Sequence, residues 1–166
     1  PNVEALNLEA AQVAFDPAEG IHVDDFLRTT NARIYAAGDV CTRVRFTHAA
    51  DAMARVVLRN ALFFGRSRFS KLVIPRCTYT SPEVARVGLT RRDVEQQFPG
   101  RPVTTLTIPL NAVDRFRLDA AGHESENTGL LRVHVRPGTD RIAGATLVAP
   151  HAAPLLATLT LAIRER

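Results

Sequence analysis

Residues 34 to 40, "IYAAGDV", run from an apolar stretch into a glycine and then a carboxylate, and this is where the chain first offers chemistry. A strand-end Asp accepts hydrogen bonds well, the hydroxyls of a sugar or ribityl chain are suitable donors, and Gly38 lets a ligand approach the backbone beside Asp39. The same dipeptide also closes turns, since Asp bonds its own backbone. On the Gly-Asp step alone the turn is the stronger reading. Shortly afterwards Phe46-Thr47-His48 opens a helix, whose free N–H groups and positive dipole end stabilise negative charge on a bound group. A ligand with a polyol and an electron-rich ring satisfies both places.

The elements that must hold these residues follow from periodicity. Ile34 to Ala37 reads as a strand, approached through Asn31 and Arg33, and Ile21 to Val23 as another after the turn residues of "DPAEG". Asn7 is a possible N-cap for a short helical piece. From Thr47 to about Phe64, Ala49, Ala50, Met53, Val57, Ala61 and Phe64 recur on one face with helical period, and Gly65 stops the helix. A shift to small and basic residues between Arg66 and Pro75 marks a boundary, giving segments 1–70 and 71–166. Beyond it strands dominate: Cys77 to Thr80, Val84 to Val87, Val103 to Leu110, Leu130 to Val135 and Ile142 to Val148, the last two joined as a hairpin by "RPGTD". One helix starts at Thr90, with Asp93 as a relative of the capping box, and ends before Pro99-Gly100. Ala152 to Arg164 forms a final amphipathic helix, with Leu155, Leu156, Leu159 and Ile163 to bury.

Composition bounds what this scaffold does. A chain of 166 residues with 46% hydrophobic and 23% charged residues is that of an ordinary soluble protein of one domain or two small ones. Its apolar runs fall well short of the roughly 20 residues of a membrane span, and no basic-then-apolar leader opens it, so the reading is cytoplasmic, with no membrane partner. The formal charge of +4 permits an acidic partner. The arginines are scattered among acids, however, without a basic block or aromatic interleaving, so no nucleic-acid partner is expected. Cys41 and Cys77 match neither a metal pair nor a disulfide framework and read as buried free thiols, and no metal site is expected.

Several ordered segments resemble one family. "TTNARIYAAGDV" is similar to the T-x-x-x-x-[IV]-[YF]-A-x-G-D segment of the FAD-dependent pyridine nucleotide–disulfide oxidoreductases. "FTHAADAMAR" resembles the family's helix beneath the flavin, and "VIPRCTYTSPEVARVGLT" the entry into its dimerisation domain. "VDRFRLDAAG", "GLLRVHV" and "GTDRIAGATLVAPHA" resemble later sheet strands, most closely those of the mercuric-reductase-like branch. The resemblance implies an α+β chain: the end of an FAD-binding α/β domain, then a dimerisation domain with an antiparallel sheet flanked by helices. It implies that Asp39, beside Gly38, binds the ribityl hydroxyls of FAD, that the backbone around Phe46 and Thr47 approaches the flavin ring, and that residues from about Leu72 onward form a homodimer interface. His48 matches a His found at this place in some members; from the sequence alone it serves equally as a helix-capping or surface His.

The family's remaining chemistry has no counterpart in these residues. A pyrophosphate site needs a G-x-G-x-x-G loop, and the chain contains no G-x-G, so the NAD(P)H site is absent. Cys41 and Cys77 cannot replace the family's C-x-x-x-x-C redox disulfide. His22, His123, His134 and His151 do not match its His-Glu acid–base pair. The expectation is therefore a C-terminally truncated portion of an FAD-dependent NAD(P)H:disulfide or mercuric ion oxidoreductase, with no catalytic residue of its own and inactive alone. A stand-alone dimerisation or interaction module without redox activity is the alternative.

Overall fold

The computed structural model of the chain describes residues 1–119 and 129–165, which pack as two compact units, Pro1–Leu72 and Val73–Arg166. In the first unit a small hairpin pairs β1 (Phe15–Asp16) with β2 (Gly20–Ile21). Its turn is fixed by Asp16, whose carboxylate accepts the N–H groups of Ala18 and Glu19, each at 2.8 Å. Val3, Leu8, Val13, Ile21 and Ala36 bury one small core around it. A second core joins Leu27 to Met53 and Val56 of α1 (Thr47–Leu62).

Helix α1 forms where its period and alanines favour it, but its buried face is shorter than the sequence suggests. Ala49, Met53 and Val56 are buried, whereas Ala61 and Phe64 are exposed. The turn beyond the helix explains this: Phe64 takes a φ of 53°, outside the helix, and Asn60 ties the last turn to Phe26 O and Ser67 O at 3.2 and 2.9 Å.

The strands of this unit are slighter than expected. Ile34 to Ala37 contributes a single bridge, Tyr35 with Arg28, supported by Ala36 N–H to Leu27 O at 3.1 Å. Only Leu27 to Thr29 lies beside it, so no ladder extends. Ile21 to Val23 reduces to β2. Asn7 caps no helix: it and Gln12 have positive φ, and Val13 N–H closes a turn onto Leu8 O at 2.9 Å.

The second unit is built on five antiparallel strands in the order β3 (Arg76–Thr78), β4 (Glu83–Gly88), β7 (Ile142–Ala149), β6 (Leu130–Val135) and β5 (Thr104–Pro109). This is the antiparallel sheet flanked by helices that the sequence implies. The register sets Ala85 opposite Leu147 and Val87 opposite Ala145, and this side is covered by α4 (Ala152–Arg164) through Ala152, Leu156 and Ile163. Small alanines on the sheet let the helix lie close. Leu155, expected inside, is 55% exposed.

Helix α2 (Arg91–Gln97) starts with both bonds of a capping box: Asp93 N–H to Thr90 Oγ1 at 3.1 Å and Thr90 N–H to Asp93 Oδ2 at 2.8 Å. The stretch Val113 to Asp119, likened to a sheet strand, instead holds helix α3 (Asp114–Asp119), with Arg115–Asp119 and Arg117–Asp114 pairs at helical spacing. The rest of "VDRFRLDAAG" and His123 lie outside the described residues.

Candidate functional site

Asp39 sits in the turn that follows Tyr35 to Ala37, and the backbone closes that turn without it. Cys41 donates its N–H to Gly38 O at 3.1 Å and its thiol to the same oxygen at 3.5 Å. The Asp39 carboxylate is exposed, and nothing among the described residues bonds to it. Asp16, Asp24 and Asp25 differ, since each accepts at least one backbone N–H. Asp39 is thus an acceptor facing water, held on a fixed backbone.

Gly38 brings this turn against the start of α1. It is buried, its φ is 83°, and a Cβ placed there would lie 3.2 Å from the Ala50 Cβ. A side chain would therefore meet both an unfavourable backbone and the helix. The first turn of α1 has no side-chain cap and no acidic residue, so no capping side chain or carboxylate of its own offsets the helix dipole there. Thr47 and His48 are exposed there, and the His48 ring stacks on Phe46 with centroids 5.5 Å apart. The structure thus brings Gly38 and the first turns of α1 together, with Asp39 next in sequence.

The two cysteines are free and half-buried. Burial pushes the Cys41 thiol up to about 11, and burial followed by the Glu83 carboxylate raises Cys77. Both are protonated at neutral pH, without thiolate reactivity. Glu83 instead reaches α4, accepting Ala153 N–H at 3.0 Å and so capping a helix whose N-cap residue, His151, makes no side-chain cap. His134 is buried, with Nδ1 3.0 Å from Thr105 Oγ1. Burial, then the Arg132 and Arg91 guanidiniums, hold it below the usual histidine range.

Among the described residues no group of three or more His, Cys, Asp or Glu could hold a metal ion, and no helix is long and apolar enough to cross a membrane. A cavity of about 710 Å³ in the second unit is largely apolar, and two of its polar lining residues, Arg115 and Asp119, pair with each other at 2.9 Å.

Comparison with known proteins gives this geometry its context. The family model described as "Pyridine nucleotide-disulphide oxidoreductase, dimerisation domain" matches residues 74–166, and "Pyridine nucleotide-disulphide oxidoreductase" matches residues 1–54. The chain belongs to the pyridine nucleotide-disulphide oxidoreductase family. It is 34% identical to a mercuric reductase of Staphylococcus aureus over 164 residues, 99% of this chain and 29% of that protein. It is 31% identical to a dihydrolipoyl dehydrogenase of Chlamydia muridarum, covering 34% of it. Among solved structures, the HOCl-induced flavoprotein disulfide reductase RclA of Escherichia coli matches with a TM-score of 0.81 at 25% identity, over 99% of this chain and 37% of that one. LpdA of Mycobacterium tuberculosis matches with a TM-score of 0.79 at 27% identity, over 100% and 35%. The chain therefore spans 29 to 37% of the length of these relatives.

Sequence reasoning names Asp39 and the helix start as candidates but misses what holds them. Val40 O accepts Ile21 N–H at 2.8 Å, and Gly20, taken only as a turn residue, lies against that carbonyl. No local signal marks a contact between segments so far apart in the chain.

Proposed function

We propose that this chain is the part of a homodimeric, cytoplasmic, FAD-dependent NAD(P)H:disulfide or mercuric ion oxidoreductase that supplies part of the flavin site and the dimer interface. Pro1–Leu72 is the C-terminal piece of the FAD-binding domain, and the second unit is the dimerisation domain. Two free cysteines suit a reducing compartment.

The observation that carries the flavin reading is the Asp39 carboxylate, exposed and unbonded on a turn that the backbone closes by itself. Its chemistry fits a polyol, because an ionised carboxylate accepts from two hydroxyls at once. Gly38 keeps the backbone clear of side chain, and the positive dipole end of α1 at Phe46 and Thr47, where the N-cap makes no side-chain cap, suits an electron-rich ring. Bound FAD supplies the hydride- and electron-carrying chemistry; the residues here bind and orient it.

The test is the visible spectrum of the 166-residue chain after incubation with FAD and removal of the excess. Retained flavin bands, weakened about tenfold or more in Asp39→Ala, are expected, together with no NAD(P)H oxidation. A colourless chain, or flavin retained equally by Asp39→Ala, would overturn the flavin reading, and turnover would overturn the inactivity.

One observation favours the second reading, a dimerisation module without redox activity. On edge strand β5, Leu106 and Ile108 are 56% and 48% exposed, and Leu155 and Leu161 of α4 are also uncovered. Both readings predict a dimer in sedimentation at micromolar concentration; a monomer removes the second and the dimer claim of the first.

A further inference from the structure

The hairpin that precedes the candidate site meets it through one unusually close backbone contact. Gly20 has a φ of 100°, and a Cβ placed there would run into the Val40 carbonyl oxygen and lie 2.9 Å from its carbon. Only glycine fits, on both conformational and steric grounds. The approach lets Ile21 N–H reach Val40 O at 2.8 Å.

That oxygen belongs to the Val40–Cys41 peptide, and the other end of the same plane is the Cys41 N–H, which donates to Gly38 O at 3.1 Å. A peptide unit is rigid, so moving the oxygen rotates the N–H with it. The plane is held at its oxygen by β2 and at its nitrogen by the turn, and Asp39 is one residue before it, joined through Val40. Asp16 fixes the hairpin turn, and Glu19 pairs with Arg43 beyond the site.

We propose that Gly20 is a positioning residue for Asp39: its missing side chain admits the β2 backbone to the Val40 carbonyl and so fixes the turn that presents the carboxylate. The functional half of this proposal rests on the flavin reading of Asp39; the mechanical half does not.

Amide hydrogen exchange tests the mechanical half without any ligand. In the unaltered chain the Ile21 and Cys41 amides show a common protection factor, because one opening frees both; much lower protection at Cys41 overturns the coupling. In Gly20→Ala both amides speed up by about tenfold or more, the change that backbone strain at one residue brings to a local opening, while Met53 in α1 and Val87 in β4 keep their rates. A rise at Ile21 without one at Cys41, or a uniform rise across the first unit, overturns the proposal.

The functional half is read from retention of FAD, as the visible flavin band. Gly20→Ala weakens retention about tenfold, but adds nothing in a chain already carrying Asp39→Ala, because both changes act through one carboxylate. Additive losses overturn the positioning role and leave the flavin reading of Asp39 intact. Retention untouched by Asp39→Ala overturns the flavin reading and with it this half, while the amide rates still decide the mechanical one.

Discussion

Two turns in the first unit each carry an aspartate at the end of a short extended stretch, and they are closed in opposite ways. At Asp16 the carboxylate itself closes the turn by accepting Ala18 and Glu19 N–H groups. At Asp39 the closure comes from Cys41 onto Gly38 O, reinforced by Ile21 onto Val40 O, and the carboxylate stays in solvent. The difference teaches that a side chain is available to a ligand when neighbouring backbone, rather than the side chain, satisfies the turn. An aspartate at the end of a short extended stretch does not by itself distinguish these cases; the partners of the flanking peptide groups do.

The sharpest way to break the comparison is to remove each carboxylate in turn. Asp39→Ala should weaken FAD retention about tenfold or more, as loss of hydrogen bonds to a charged acceptor does, while its unfolding stability stays within about 0.5 kcal/mol. Asp16→Ala should do the reverse first: a lower urea midpoint for the first unit, with flavin affected only as the hairpin loosens. An Asp39→Ala chain destabilised like Asp16→Ala would erase the distinction.

The contrast also explains what was legible in the sequence. Signals that act within a few residues came through: the Thr90–Asp93 box, the hairpin turn after Arg136 and the helical period from Thr47 all form. In the first unit, those that depend on a distant partner did not. Ile34 to Ala37 has the composition of a strand, yet strand length is set by what lies alongside, and here only Tyr35 finds a bridge. Gly20 looked like punctuation because its reason, the Val40 carbonyl, lies elsewhere in the chain. At α3 the misreading was avoidable, since Arg115 and Asp119 already stand at i and i+4. Asp39 and the start of α1 stand out in the sequence, but only their surroundings separate a solvent-facing carboxylate from a turn-closing one.

The second unit supplies a committed carboxylate of the Asp16 kind in Asp93, bonded to the Thr90 hydroxyl and N–H. Thr90→Ala should lower the stability of that unit by about 1 kcal/mol, the usual cost of a lost N-cap, and leave flavin retention in the first unit unchanged. A denaturant titration followed at both units checks this; a matching loss of flavin would mean that the capping box serves more than α2.

Acid separates committed carboxylates by a smaller effect. Hydrogen bonds from the Thr90 hydroxyl and N–H, with a further contribution from Arg86 and Arg92, hold Asp93 below its ordinary value of 3.8. The Glu19 and Ala18 N–H groups do the same for Asp16. A carboxylate whose folded pKa lies below its unfolded one adds stability that is fully present above the unfolded value and is lost as pH falls through the folded value. As pH falls below about 4 the second unit should therefore weaken, and Asp93→Asn should flatten that part of the curve, because Asn keeps an acceptor oxygen but binds no proton there. Carboxyl-carbon NMR across the same range gives the direct reading: Asp16 and Asp93 should titrate below 3.8. If Asp93 titrates at or above that value, its bonds to Thr90 do not favour the charged form, and it no longer belongs beside Asp16 in the comparison.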